Sequence, residues 1–424
     1  MTRVTARAGW VADRFGVRLE PGAGSVRPLG ELVQLALRRN PRRAHLLVST
    51  VLGKHVPTDP RTVYAAGAEL AALVAARLDG RLPYVIGYAE TATGLGHVVA
   101  EVLQADYLHS TRRPVAGLDP VGGFEETHSH ASAHLLLPEA PGLLDPSRPL
   151  VLVDDELSTG ATALNTMTAL HALAPRGHYL IAALADLRGP ADRAAQEAAG
   201  RRLAARIDVV ALATGTLHVP DGFADAAAQL AAGVVPASSP APGRPLAPIE
   251  PVASHWLSAV RDGGRHGFTP ADVQAAHAAA RGSGAAVRAA LGGERILVLG
   301  FEELMYAPLL IALELAETVP SVRFSSTTRS PVFVVDAPGY PIRTALCFPA
   351  HDDPVDGPGP RYAYNVAPPA GGDPFTDIVL VIDDAGATQQ LHATDGLLAQ
   401  LASVTACVHL VTLPSYRPVA VRTL

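Results

Sequence analysis

The segment Leu150–Thr162 reads LVLVDDELSTGAT, and it decides the fold class. Leu150–Val153 form a short apolar run ended by charge, the pattern of a strand buried on both faces of a parallel sheet. Asp154 and Asp155 stand at its carboxyl end, a Ser/Thr/Gly turn follows, and a helix is expected from about Ala161. In open α/β sheets ligands bind outside the carboxyl ends of the strands. The backbone N–H groups of Glu156, Leu157, Ser158, Thr159, Gly160, Ala161 and Thr162, with three hydroxyls among them, offer a phosphate cradle at a helix N-terminus. Two adjacent carboxylates before that cradle suit the 2′ and 3′ hydroxyls of a ribose. The segment therefore reads as a ribose 5-phosphate site.

Other runs keep the same rhythm. Tyr84–Gly87 (YVIG), Tyr179–Ala183 (YLIAA) and Asp208–Ala213 (DVVALA) read as buried strands, with helical stretches such as Ala161–Leu173 and Pro190–Arg202 between them. Alternation of this kind predicts an α/β fold on a mostly parallel sheet. After Tyr84–Gly87 comes a turn rich in glycine and threonine, Ala89, Glu90, Thr91, Ala92 and Thr93, and a helix is expected from Gly94. Its amides and hydroxyls suit a second anion, although Glu90 is a carboxylate beside that anion. Tyr107–Pro114 (YLHSTRRP) is a short strand ending in Arg112 and Arg113, and the aperiodic stretch Val115–Ser132 has the length of a functional loop. His128, His130 and His134 cluster there; without cysteines nearby they read as loop histidines that touch phosphate or base rather than a zinc site.

The 424 residues carry a net charge of −6, which argues against a dedicated nucleic-acid binder. Hydrophobic residues make up 48%, ample for packed cores, yet the longest apolar stretches are too short to span a bilayer. No N-terminal segment has the form of a secretory signal, so a cytoplasmic location is expected. Of the 34 Lys+Arg residues only Lys54 is a lysine, and it falls within Leu46–Pro60 (LLVSTVLGKHVPTDP), in a Gly-Lys-His turn that follows an apolar strand. A lysine kept where arginine is otherwise always used points to a place that needs a compact ammonium; chance is the alternative.

The stretch Leu150–Thr162 resembles the phosphoribosyl-pyrophosphate (PRPP) signature of type I phosphoribosyltransferases. A bare acidic pair after a strand also occurs in Walker B and haloacid-dehalogenase sites, and a capping turn explains any one of these residues alone. No G-x-x-x-x-G-K-[ST] loop is present, against a P-loop nucleotidase. The resemblance implies that Ala89–Thr93 form the pyrophosphate loop and that Val115–Ser132 close over bound PRPP. Arg112 or Arg113 would then pair the leaving pyrophosphate. The turn at Lys54 is similar to an early segment of orotate phosphoribosyltransferases in which a lysine reaches base and diphosphate, although the order of its serine and glycine differs.

A proline-rich stretch, Val235–Val252, separates a domain of residues 1–234 from one of residues 253–424 and is expected to be an extended linker. The second half repeats three motifs of the first in the same order: Val298–Glu303 (VLGFEE) against Val85–Glu90 (VIGYAE), Thr327–Pro331 (TTRSP) against Ser110–Pro114 (STRRP), and Val379–Asp384 (VLVIDD) against Leu150–Asp155 (LVLVDD). A second, smaller α/β domain is inferred, a degenerate repeat of the first without its phosphate turn; convergent α/β patterning is the alternative. Ser325–Pro331 (SSTTRSP) resembles the TRSP domain that follows a phosphoribosyltransferase domain in one bacterial family. That family is associated with tellurite-resistance-type stress gene clusters and a nucleoside-like product. Arg329, Arg361, Tyr362, Asn365 and the run Arg265–Phe268 are candidate polar contacts in this half.

The resemblance implies Mg2+-dependent transfer of a 5-phosphoribosyl group between PRPP and a nitrogenous base, in either direction. Asp154 and Asp155 hold the ribose and the metal; Lys54, Arg112 and Arg113 offset charge on the leaving group. The implied partners are PRPP, pyrophosphate and a nucleobase-like acceptor, with a homodimer compatible with the family. A non-catalytic PRPP- or nucleotide-sensing regulator is the second reading.

Overall fold

The computed structural model describes residues 9–38, 43–113, 115, 120–125, 133–233, 245–352 and 359–418. The first lobe begins with α1 (Trp10–Phe15), β1 (Arg18–Pro21), α2 (Leu29–Leu32), the hairpin β2 (Val33–Leu37) and β3 (His45–Ser49), and α3 (Pro60–Ala75). It continues with β4 (Tyr84–Gly87), α4 (Thr93–Leu103), β5 (Asp106–His109) and a second hairpin, β6 (Gly122–Glu125) and β7 (Ala133–Leu136). β8 (Leu150–Leu157), α5 (Ala161–Leu173), β9 (His178–Asp186), α6 (Pro190–Arg202), β10 (Arg206–His218) and α7 (Phe223–Gly233) complete it. The second lobe runs β11 (Ile249–Val252), α8 (Pro270–Ala290), β12 (Arg295–Gly300), α9 (Tyr306–Ala316) and β13 (Ser321–Ser326). A hairpin of β14 (Ala345–Pro349) and β15 (Pro360–Tyr364) follows, then β16 (Asp377–Asp383), α10 (Leu397–Ala402) and β17 (Cys407–Leu413).

The first sheet has the order β1-β10-β9-β8-β4-β5, parallel except for β1. The second has the order β11-β17-β16-β12-β13 and is parallel throughout. The α/β class and the parallel core are therefore as expected. Local chemistry explains the starts of the helices that cover each sheet's inner face. α3 opens on Pro60 with the Asp59 carboxylate accepting the Arg61 N–H at 2.9 Å. α8 opens on Pro270 with a capping box of Thr269 and Asp272. Proline at the first helical position wastes no hydrogen bond there.

The two lobes share one core. A single buried apolar cluster runs from Val85 and Val151 of the first sheet, through Leu70 of α3 and Val98 of α4, to Leu309 of α9 and Val287 of α8, and on to Val298 of the second sheet. Separate clusters cover the outer faces, with Met167 of α5 on one side and Leu398 of α10 on the other. The expected linker is shorter than its sequence suggested: Ile249–Val252 pair in parallel with β17 as the edge strand of the second sheet, where proline is tolerated.

The repeated motifs fall at matching places. β5-β4-β8 and β13-β12-β16 are neighbours in the same order, with α4 and α9 as the corresponding crossovers. The third match is off by one residue. Val85 pairs with Val151 and its equivalent Val298 with Val379, so Asp383 stands level with Asp155 rather than with Asp154. A one-residue slip turns a side chain to the other face of the sheet. Among the described residues no helix is long and apolar enough to cross a membrane.

Candidate active site

Three adjacent strand ends build the site. The Ser110 N–H after β5 donates to the Gly87 carbonyl of β4 (3.0 Å), and the Tyr88 N–H donates to the Val153 carbonyl of β8 (3.1 Å). The turn Ala89–Ala92 is thereby fixed beside Asp154 and Asp155. Ser110 Oγ also accepts the Ala89 N–H (2.9 Å), and His134 of β7 lies 2.8 Å from that hydroxyl. Lys54 arrives from the segment before α3, buried, with Nζ donating to Thr91 Oγ1 at 2.6 Å. Sequence reasoning placed Lys54, the Glu90 turn and the acid pair in one site. The structure brings Lys54 onto the turn, and the strand register sets the acid pair alongside it.

The acid pair lies within β8 rather than beyond it. β8 continues to Leu157, with Glu156 level with Ala185 and Leu157 with Asp186 of β9. Pairing to β9 outweighs the poor strand propensity of consecutive acids. Glu156 and Leu157 are thus part of the ladder and leave the expected phosphate cradle, which shrinks to Ser158, Thr159 and Gly160 ahead of Ala161 and Thr162. Gly160 sits at φ +77°, a conformation that favours glycine, and Thr159 Oγ1 accepts the Ala161 N–H at 3.2 Å. Asp154 Oδ1 accepts the N–H of Asp155 (2.9 Å), and the Asp155 carboxylate has no cationic partner among the described residues. Glu156 instead forms an ion pair with Arg43, and burial pushes its carboxyl up from the usual value against the pull of that arginine.

Thr93 is the first residue of α4, fully buried, its hydroxyl donating to the Glu90 carbonyl at 3.1 Å. Arg112 lies 3.3 Å from His134 Nε2. Arg113 turns away from the first lobe: it donates to Asp383 at 2.7 Å, lies 3.2 Å from Asp352, and stacks over Phe301 at 4.9 Å. Of the two arginines expected to meet pyrophosphate, Arg113 is thus committed to the second lobe's acids. His128 and His130 lie outside the described residues. Magnesium fits the acid pair, since two half-buried carboxylates, one without a cationic partner among the described residues, are hard oxygen donors of the kind it takes together with substrate phosphate.

Residues 32–216 match the family described as phosphoribosyl transferase, and residues 262–401 match the TRSP domain that lies C-terminal to it. The chain carries a phosphoribosyl transferase domain followed by a TRSP domain. The first lobe accordingly belongs to a family of pentosyltransferase enzymes. No curated protein matches the chain by sequence. Among solved structures, an adenine phosphoribosyltransferase from Giardia lamblia complexed with 9-deazaadenine is 18% identical over 44% of this chain and 96% of that one, with a TM-score of 0.33. The enzyme from Trypanosoma brucei, in complex with AMP, pyrophosphate and ribose-5-phosphate, is 13% identical over 46% and 75%, with a TM-score of 0.31. That from Rhodothermus marinus is 16% identical over 46% and 99%, with a TM-score of 0.32.

Residues of the TRSP domain that sequence reasoning left vague stand against this site. Arg329 Nε is 3.1 Å from Glu90 Oε1 and 2.7 Å from Glu302 Oε2, and Arg361 reaches Glu302 at 2.5 Å. Arg265 donates to Glu303 at 2.8 Å. Asn365 is structural, donating to the His55 and Pro341 carbonyls. Burial, then Glu90, pushes the Glu302 carboxyl up to about 7 despite Arg329. Burial would raise Glu303 too, but Arg265, His109 and Arg113 hold it down at about 2. In the phosphoribosyl transferase domain, sequence reasoning missed Arg43, whose only trace is the basic run before β3, and Arg188. The latter is locked on Asp186 at 2.8 Å and packs against Gly160.

Proposed function

We propose that this protein transfers a 5-phosphoribosyl group between PRPP and a nitrogenous base, forming or pyrophosphorolysing a nucleotide or nucleoside-like metabolite. The convergence of the Ala89–Ala92 turn, Lys54 and Asp155, which has no cationic partner among the described residues, at three neighbouring strand ends carries the reading. The turn after β4 offers amides to the diphosphate, Ser158–Gly160 and the start of α5 take the 5-phosphate, and Asp154 and Asp155 take the ribose diol. Their negative charge also steadies the cationic C1′ as the bond to pyrophosphate lengthens. Mg2+ held by these carboxylates and the diphosphate would neutralise charge on the leaving group. Lys54 and Arg112 supply the protein's own cations, and anchoring both ends of the substrate provides orientation. Capture of Arg113 by Asp383 favours a second reading, a PRPP-binding regulator, because it withdraws one cation from the leaving group. Incubation with PRPP, Mg2+ and a panel of bases, following pyrophosphate, separates the two: base-dependent release supports transfer, and tight PRPP binding without release supports the regulator.

A further inference from the structure

The lobes are paired about an internal two-fold axis. Thr58, two residues before the proline that opens α3, exchanges backbone hydrogen bonds with Phe324 of β13 (3.0 and 2.8 Å). Phe268, two residues before the proline that opens α8, does the same with Tyr107 of β5 (2.7 and 2.8 Å). By the motif alignment Phe324 and Tyr107 are equivalent. The Thr111 hydroxyl of the first lobe donates to Glu303 of the second at 2.9 Å, and the equivalent Thr328 donates to Glu90, the equivalent of Glu303, at 3.4 Å. Within each lobe the same link recurs: Ser110 Oγ accepts the Ala89 N–H, and Thr327 Oγ1 accepts the Glu302 N–H at 3.1 Å. Gly53-Lys54-His55 answers Gly264-Arg265-His266, with Lys54 beside Glu90 and Arg265 beside Glu303. Where α4 meets α9, His97 and Tyr306 stack at 4.2 Å. Such reciprocity is the mark of an isologous interface, here formed within one chain.

One consequence bears on the pyrophosphate turn. A buried carboxylate in an anion-binding turn repels its ligand unless a cation is fixed on it. The Glu90 side chain is only 8% exposed, with Lys54 Nζ at 3.9 Å, beyond hydrogen-bonding reach. Arg329 is nearer at 3.1 Å, and Thr328 adds its hydroxyl. Both belong to the Thr-Arg-Ser-Pro run of the second lobe. We propose that Thr328 and Arg329 are positioning residues for the first lobe's site: they hold the Glu90 carboxylate from across the pseudo-two-fold axis, so that Lys54 is left for the diphosphate. The TRSP domain thus acts as a built-in partner subunit whose signature motif completes the phosphoribosyl transferase site. This rests on Ala89–Thr93 being the pyrophosphate turn.

The test uses the full chain and four proteins: wild type, Arg329→Gln, Glu90→Gln and the double variant. PRPP affinity with Mg2+ is measured by calorimetry, and unfolding midpoints by thermal denaturation. Arg329→Gln alone weakens PRPP binding about tenfold, roughly the loss of one charge-compensating contact. In the Glu90→Gln background the same change has little further effect on PRPP affinity, because the turn's own carboxylate is gone and Glu302, the other partner of Arg329, is still held by Arg361. Equal losses in both backgrounds, or no loss in either, overturn the proposal. A wild-type protein that binds no PRPP overturns the site reading instead. The midpoints then decide the clamp: non-additive shifts uphold it, and additive shifts refute it.

Discussion

β8 and β16 occupy matching places in their sheets and end in matching acids, yet the two ends behave as opposites. Asp155 is half-buried and meets no cation among the described residues, whereas Asp383 is fully buried, bonded to Arg113 at 2.7 Å, with Arg265 at 3.8 Å. Beyond β8 lies a glycine-hinged turn into α5; beyond β16 lies a single turn of 3-10 helix, Asp384–Gly386, whose Gly386 N–H is capped by Asp383 itself. The first end keeps its charge for something that arrives. The second has spent its charge on arginines already in the chain, so the same scaffold yields a site in one lobe and a joint in the other.

Replacing each acid by its amide should separate these roles. Asp383→Asn takes from buried Arg113 its nearest carboxylate and leaves it Asp352 at 3.2 Å, so the cost should approach that of breaking a buried pair, about 3–5 kcal/mol. Calorimetric or chemical denaturation should show that loss, and an unchanged midpoint would refute the joint.

Acid should attack the joint next. The Glu303 carboxyl is held at about 2 in the fold against 4.5 in the unfolded chain. A depressed carboxylate contributes stability that is complete above the unfolded value and is lost as pH falls toward the folded one. Between pH 4.5 and 2, Glu303 should therefore account for about 3 kcal/mol of lost stability, which Glu303→Gln removes from the pH profile.

The open end should respond in binding and not in folding. Asp154→Asn with Asp155→Asn should lower PRPP affinity about a hundredfold with the unfolding midpoint kept, measured by calorimetry with Mg2+. EDTA should act in the same direction on the wild type. Equal affinity in the double variant would end the ribose-binding assignment.

Lys54→Arg sharpens the contrast further, because the second lobe already shows the outcome. Its equivalent, Arg265, grips Glu303 at 2.7 Å, while Lys54 stays 3.9 Å from Glu90. A guanidinium at position 54 should seize Glu90 in the same way and lower turnover about tenfold, with thermal stability unchanged. Wild-type turnover in steady-state assays would leave the lone lysine without a special role.

Much of the phosphoribosyl transferase domain was legible in the sequence. Tyr84–Gly87, Ala161–Leu173 and Pro190–Arg202 have the bounds that their periodicity implies, because turn and capping residues mark each end locally. That Lys54 and the turn after β4 belong to one cluster was legible too. The extent of β8 was not, since pairing with β9 carries consecutive acids into the ladder. Nor was the partner of Arg113, which lies 270 residues away on another sheet. The repeat was visible, but matching identical letters aligned Asp383 with Asp154, while the hydrogen-bonded register sets it level with Asp155. Periodicity reports which face is apolar; it carries no information about what docks on that face.

The shared layer of α3, α4, α8 and α9 has a consequence for concentration. Two subunits that pair by such a face come apart when diluted, and any residue one lends the other goes with it. Here the lender is on the same polypeptide, and a tether of this kind keeps its effective concentration on the order of millimolar whatever the protein concentration. Specific activity should therefore hold constant down to the lowest enzyme concentration an assay can follow.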